Sequence, residues 1–427
     1  MKSLNKPAIF ILSFCMLCSS FSLSGCGKTD GSASETSASS QTTDSSVESE
    51  ASQEESETSQ EAEPSEAADH SETADEPAAL ETADLEVIHE PEFGGVYIKM
   101  TIDEFNALGF EYGDSVDIVF SNGYELRDRP YYNGYYTLNG ESLLVAYPGY
   151  EYIKACINNG DDLWVTAGID ESMTAKIILN ESAKYLNIQN ARNIQYKDER
   201  DLFPSDEVFA NFRSIKVSGL KENTVYRSAS PCDNQHNRAP FVDKLIADAG
   251  VAFILDLADN EEKIEKYMSA DDFSSEYFAE LYKAGNVLPI ALNMNYGSED
   301  FKGKIANGFT AMSEHDGPYL VHCTEGKDRT GFVCMLLEAL AGASYEEIEQ
   351  DYMLTYDNYY KINKDTDKEK YDVIVENVFL PMIRSMVGDE SVDVASADLS
   401  GYAEKFLLDA GMNEEALNKL KDKIRAG

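Results

Sequence analysis

Val321-His322-Cys323-Thr324-Glu325-Gly326-Lys327-Asp328-Arg329-Thr330-Gly331 is the stretch whose reading decides the fold. Before it, Tyr319, Leu320 and Val321 end a short buried strand. After it, Phe332, Met335, Leu336, Ala339 and Leu340 recur at the 3.6-residue period of a helix that ends near Gly342. The string is therefore a strand-to-helix loop. In such a loop the N–H groups from Thr324 to Arg329 can turn inward and, with the first helical turn, form a concave anion site. Gly326 and Gly331 stand where a tight curve needs glycine.

A cysteine at the mouth of that cradle lies in the positive field of the helix dipole, the inward amides and the Arg329 guanidinium, which favours the thiolate. Cys323 thus reads as a nucleophile. Five residues separate it from Arg329, enough to wrap the loop once round a tetrahedral anion and let the Arg fork grip two oxygens. Thr324, Glu325, Gly326, Lys327, Thr330 and Gly331 are expected to contact the bound group, Thr330 by donating a hydrogen bond to sulfur when sulfur leaves. His322 reads as an orienting residue, because neighbours on a strand point to opposite faces. Lys327 has two readings: an ammonium that binds a second phosphate, or a solvated loop lysine.

His-Cys-x5-Arg-Thr-Gly resembles the signature of the cysteine-based phosphatases, and Gly326-Lys327-Asp328-Arg329-Thr330-Gly331 is similar to their bacterial tyrosine and phosphoinositide subgroup. The resemblance implies an α/β domain with a central, mostly parallel sheet flanked by helices, and hydrolysis of phosphate monoesters through a phosphocysteine. It also implies a phosphorylated protein, lipid or inositol phosphate as substrate, and neither metal nor other cofactor. The string is no nucleotide-binding loop, since no glycine stands five residues before Gly326-Lys327.

Upstream, Asn211-Phe212-Arg213 and Val225-Tyr226-Arg227-Ser228 resemble the opening of the same family, with Arg227 in a supporting place. Asp256-Leu257 matches its Asp-Leu-Arg, except that Ala258 replaces the Arg, while Glu262 keeps a later acidic place. Relatives often carry the general acid on a loop after the next strand. Here Asn293-Met294-Asn295 fills that place and Asp300 is the close acid. Asp328, inside the cradle and within reach of a leaving oxygen, is the first choice and Asp300 the second. Helices are expected over Phe241–Ala249, Glu276–Ala284, Tyr345–Tyr360, Tyr371–Val387 and Gly401–Lys423, and strands over Val251–Leu255 and Val287–Leu292. Cys156, Cys232 and Cys334 read as ordinary buried thiols.

Residues 201–427 form this phosphatase domain and 85–200 a small β-rich domain before it. In the latter, alternating runs such as Ser115–Phe120, Tyr135–Leu138 and Ser142–Tyr147 are cut by Asn122-Gly123, Asn139-Gly140 and Pro148-Gly149. Gly113-Asp114-Ser115-Val116, Pro130-Tyr131-Tyr132, Asn139-Gly140-Glu141 and Ala155–Asp161 resemble the C-terminal barrel of S-adenosylmethionine hydrolases, over about a fifth of the chain. The catalytic half of that family has no counterpart. An accessory structural or binding role follows, with a nucleoside-like ligand as one option. Tyr131, Tyr132, Tyr135 and Tyr136 read as core first and recognition surface second.

At the start, Lys2 and Lys6 precede an apolar run to Leu23 and then Leu23-Ser24-Gly25-Cys26, which resembles a bacterial lipoprotein signal. The resemblance implies a signal peptide over 1–25, a lipid on Cys26 and an extracytoplasmic protein anchored to the cell membrane. Residues 26–84, rich in Ser, Thr, Ala and Glu, read as a disordered acidic tether. A formal net charge of −43, to which the tether contributes a good share, disfavours a nucleic-acid partner and requires a local pocket for any anionic substrate. A reading from another class remains open: a surface protein that captures phosphorylated ligands without turnover, favoured by Ala258 and the missing loop Asp and opposed by the retained thiol.

Overall fold

The structure, a computed structural model, describes residues 80–426; the 1–25 leader, Cys26 and most of the 26–84 tether lie outside the described residues. Pairing begins ahead of residue 84. Glu81 bridges Ile178, and Thr82 exchanges its amide and hydroxyl with Ile177 O and N at 2.9 and 3.0 Å. Composition groups these polar residues with the tether, whereas the neighbouring strand supplies partners for them.

Seven strands close a barrel: β1 (Leu85–His89), β2 (Val96–Ile98), β3 (Ser115–Phe120), β4 (Glu125–Tyr132), β5 (Ser142–Val145), β6 (Ile153–Ile157) and β7 (Thr174–Glu181), in the order β1-β2-β6-β5-β4-β3-β7. Closure leaves no strand edge open. Val96, Ile98, Ile118, Leu144 and Ile177 fill the inside. Every neighbouring pair is antiparallel except β4 and β5, which run parallel. A tight hairpin cannot join parallel strands. That is why Tyr135–Leu138, expected as a strand, is instead part of a loop over 133–141 that leaves the barrel. Near its tip Asn139 Nδ2 donates to Met294 O at 2.9 Å. Tyr131 and Tyr132 are core; Tyr135 and Tyr136 pack half-buried beside Tyr132.

A second sheet orders β11 (Val287–Pro289), β10 (Phe253–Asp256), β12 (Tyr319–His322), β9 (Val225–Ser228) and β8 (Arg213–Ser214), all parallel except the β8 edge. β11 stops short of the expected Leu292 because Pro289 lacks a donor and Ala291 has φ +42°. The register sets Asp256, His322 and Ser228 level, so the central strand delivers Cys323 to the carboxyl edge of the sheet, where open α/β sheets bind ligands.

The helix Asp328–Ala341 that follows is buried at every position from Thr330 to Ala341. It is packed on both sides, with Phe332 against Phe406 at 5.8 Å and Gly331 against the Tyr352 ring. Gly331 is helical; its small size admits that ring, rather than serving the curve expected of it. The expected Gly401–Lys423 helix is two, Leu399–Asp409 and Glu414–Ile424, separated by Gly411 at φ +96° and restarted by Asn413, which caps Ala416 N. The expected Tyr371–Val387 helix carries a π turn, Val375–Phe379, just before Pro381, whose missing N–H breaks the regular ladder. Among the described residues no helix is long and apolar enough to cross a membrane.

Candidate active site

Four successive carbonyls of the loop are tied from behind. Thr324 O accepts Ser230 N at 3.1 Å, and Glu325 O accepts the Tyr359 hydroxyl at 2.8 Å. Gly326 O accepts Asn211 Nδ2 at 3.1 Å and Arg227 Nη2 at 3.0 Å, and Lys327 O accepts Gly331 N at 2.7 Å. In a trans peptide the N–H points opposite to the carbonyl. Fixing these carbonyls outward therefore aims the following amides inward, and those of Glu325, Gly326 and Lys327 meet no acceptor among the described residues. Gly326, at φ +66°, lets the loop lie on β9: a Cβ there would stand 2.1 Å from Ser228 O.

The ties are themselves anchored. Arg227, 1% exposed, and Arg213 both grip Asp351, at 2.6 and 2.8 Å, and Arg213 also donates to Asn211 Oδ1 at 2.7 Å. Burial alone would raise the Asp351 carboxyl, but the two guanidinium groups hold it far below the usual carboxylate range. Glu338 beside it is pushed well up, by burial and then by the Asp351 charge. Asn211 takes φ +50° and also accepts Asn358 Nδ2 at 2.9 Å. Asp351, Thr355 and Asn358 form one polar stripe at helical spacing on the Tyr345–Tyr360 helix, beside its buried Tyr352, Tyr356 and Tyr359. Asn211, Arg213 and Arg227 stood in the family resemblance; the helical spacing of Asp351, Thr355 and Asn358 was the signal for their partners.

In front, Cys323 lies at the floor, 3% exposed. Arg329 Nη2 donates to Thr324 Oγ1 at 3.3 Å and Nη1 to Leu292 O at 3.4 Å, so the guanidinium spans the loop. Thr330 Oγ1 is buried with no hydrogen-bond partner; a bond to sulfur is not made. His322 Nδ1 meets Cys323 O at 3.4 Å and its Nε2 stands 3.9 Å from Asp256 Oδ1. Burial pushes this imidazole down to about 4, so it is neutral.

Asp328 opens the helix, 32% exposed, with the Tyr352 hydroxyl at 3.4 Å from Oδ1. Neither Arg227 nor Arg213 binds it; both are committed to Asp351. Asp300 is 58% exposed and paired with Lys304 at 2.9 Å, and no contact joins it to the loop among the described residues. Lys327 is not solvated. Its side chain is only 14% exposed: Tyr196 Oη lies at 2.7 Å from the ammonium, Glu325 at 3.4 Å and Asp328 at 3.7 Å, and the rings of Tyr196, Tyr356 and Tyr360 stand around it. Burial would lower it, yet these anionic neighbours hold it above its ordinary value. Glu325 also accepts the Tyr196 hydroxyl, so its side chain faces this cage.

Cys156, Cys232 and Cys334 are buried free thiols. Under the sheet edge, Cys232, Asp256 and Asp259 bring donor atoms within 4.8 Å of one another, the group among the described residues able to hold a cation. Burial, and for Asp259 the neighbouring Asp256, pushes both carboxyls toward the protonated form, which opposes cation binding. Ala258 is buried beside Asp256 and Glu262 is exposed on the next helix.

A model of the tyrosine phosphatase family matches residues 207–426. No curated protein matches the chain. Among solved structures, an uncharacterized conserved protein from Thermotoga maritima is 21% identical over 22% of this chain and 35% of its own, with a TM-score of 0.20. The chain thus spans about a third of that protein. The core catalytic domain of the PP-IP phosphatase SIW14 from S. cerevisiae is 19% identical over 41% of this chain and 91% of its own, with a TM-score of 0.25.

Proposed function

The chain belongs to the tyrosine phosphatase family, and from that premise we propose that it hydrolyses phosphate monoesters through a phosphocysteine. The observation that carries this reading is the loop whose carbonyls are all tied behind and whose amides are left to the front, over a buried thiol and beneath a spanning guanidinium. Cys323 sulfur attacks phosphorus. The amides and Arg329 hold the equatorial oxygens while the bond to the leaving oxygen breaks. Asp328 gives that oxygen its proton, then takes one from the water that attacks the phosphocysteine and frees sulfur and inorganic phosphate. Asp328 is preferred to Asp300 because it adjoins the cradle, while Asp300 is engaged with Lys304.

Phosphotyrosine, phosphoinositide and soluble inositol phosphate all satisfy this chemistry. The lipid on Cys26 and the extracytoplasmic anchoring belong to the same proposal and rest on the leader's resemblance alone. The test is phosphate release by the purified protein with reductant, beside Cys323→Ser. Release abolished in the variant, with a 32P-labelled cysteine adduct trapped from the wild type, supports the mechanism. Tight binding of the substrates without release by the wild type would establish a capture protein instead.

A further inference from the structure

A cleft of about 720 Å³ reaches the loop at Asp328. One wall is the barrel's 133–141 loop with Asn139 and the nearby Asn159; another is the π turn with Glu376; Tyr296 and Arg192 line it between them. Arg192 ends the short helix Leu186–Arg192, which follows the last barrel strand. The two sheets therefore build this cleft jointly. The barrel side contributes a cation to the approach to Asp328.

Most cations at the site are already satisfied. Lys327 is caged as described, and Arg384 on the far wall pairs with Glu390. Arg192 differs: it is partly buried, its guanidinium lies over the Tyr136 ring at 5.5 Å, and that guanidinium makes no hydrogen bond or ion pair among the described residues. A guanidinium on an aromatic face keeps its N–H edge available for a bidentate anion. Arg192 and Asp328 line the same cleft, which places the guanidinium on the approach to the phosphate held in the loop. The acids sharing the cleft are Asp328 and Glu376, with Glu390 engaged by Arg384.

We propose that Arg192 binds a second anionic group carried by the leaving alcohol, so that the preferred substrate is a polyphosphorylated alcohol, free or as a lipid headgroup, and the barrel serves to present this residue. The inference rests on the phosphatase reading above. It also moves the second-phosphate role from Lys327, which is occupied, to a residue outside the family match at 207–426.

The test compares kcat/KM on inositol hexakisphosphate with that on p-nitrophenyl phosphate, whose leaving group bears no second anion. Arg192→Ala is expected to lower the ratio of the two by about tenfold, through KM, and Arg192→Lys to recover part of it. Vesicles containing a phosphoinositide bisphosphate, run beside the free hexakisphosphate, show which source is used. An unchanged ratio, or a ratio kept while both activities and the melting temperature fall together, would overturn the proposal. A binding arm separates this from the phosphatase reading: calorimetry of inositol hexakisphosphate with Cys323→Ser, alone and combined with Arg192→Ala, needs no turnover. Equal Kd in the two proteins would again reject Arg192, whereas a wild type that binds but releases no phosphate would reject only the catalytic reading.

Discussion

The loop over 323–329 has two sides of opposite character. Behind it, Asn211, Arg213, Arg227 and Asp351 are buried and mutually paired, and each loop carbonyl has a partner. In front, amides lack acceptors and Asp328 reaches a cleft. The difference teaches that the anion site is made by saturating its reverse side. A flexible loop would spend its amides on water or on its own carbonyls; one tied at every carbonyl keeps them aligned before any ligand arrives. Catalysis and stability should therefore separate between the two sides.

The strongest way to break that comparison is Asp351→Ala. It leaves two buried guanidinium groups without their carboxylate and is expected to cost about 3–5 kcal/mol of stability in thermal or urea unfolding. A loss under ~1 kcal/mol would mean that the rear network does not hold the loop.

On the front side, Arg329→Lys keeps the charge but not the fork. It should lower kcat by about 10²–10³ with a melting temperature near wild type. A large drop in melting temperature instead would show that Arg329 belongs to the scaffold.

Asp328→Asn sharpens the contrast further. The expected loss is about 10² in kcat on an alkyl phosphate and much less on p-nitrophenyl phosphate, whose leaving group needs little protonation. Equal losses on both would remove Asp328 as the acid, and a loss confined to Asp300→Asn would transfer the role.

The smallest effect is Glu338→Gln. Because Glu338 is raised well above 4.5 in the folded protein, the native state binds more protons than the unfolded chain once pH exceeds that value, so this group's contribution to stability falls as pH rises. Removing it should flatten the pH dependence of unfolding above pH ~4.5, which denaturant titrations across that range would show. The Asp351 contribution runs the other way: its depressed carboxyl stabilises above the ordinary range and loses that effect only in acid.

Much of this was legible beforehand because it is local. Strand, loop and helix are contiguous, so Cys323, Arg329 and Asp328 could be placed on one turn from spacing and period alone. The mostly parallel sheet was an implication of the family resemblance carried by that same stretch. Where local rules misled, a distant element had intervened. Tyr135–Leu138 alternates like a strand but had to link two parallel ones, and Gly331 looked like a turn glycine until Tyr352 was packed on it. Lys327 read as substrate-facing or solvated until Tyr196 was brought from the segment before the phosphatase sheet.

The sequence by itself determined the chemistry on offer: a thiol and a guanidinium separated by five residues, because a loop that short can close only around something the size of a phosphate. Only the tertiary structure decided which groups would be spent on holding that loop and which left to face a ligand. That choice depends on contacts such as Asn211 with Asn358 and Arg227 with Asp351, between residues far apart in the chain, and burial, which makes such pairing obligatory, exists only after the chain has folded.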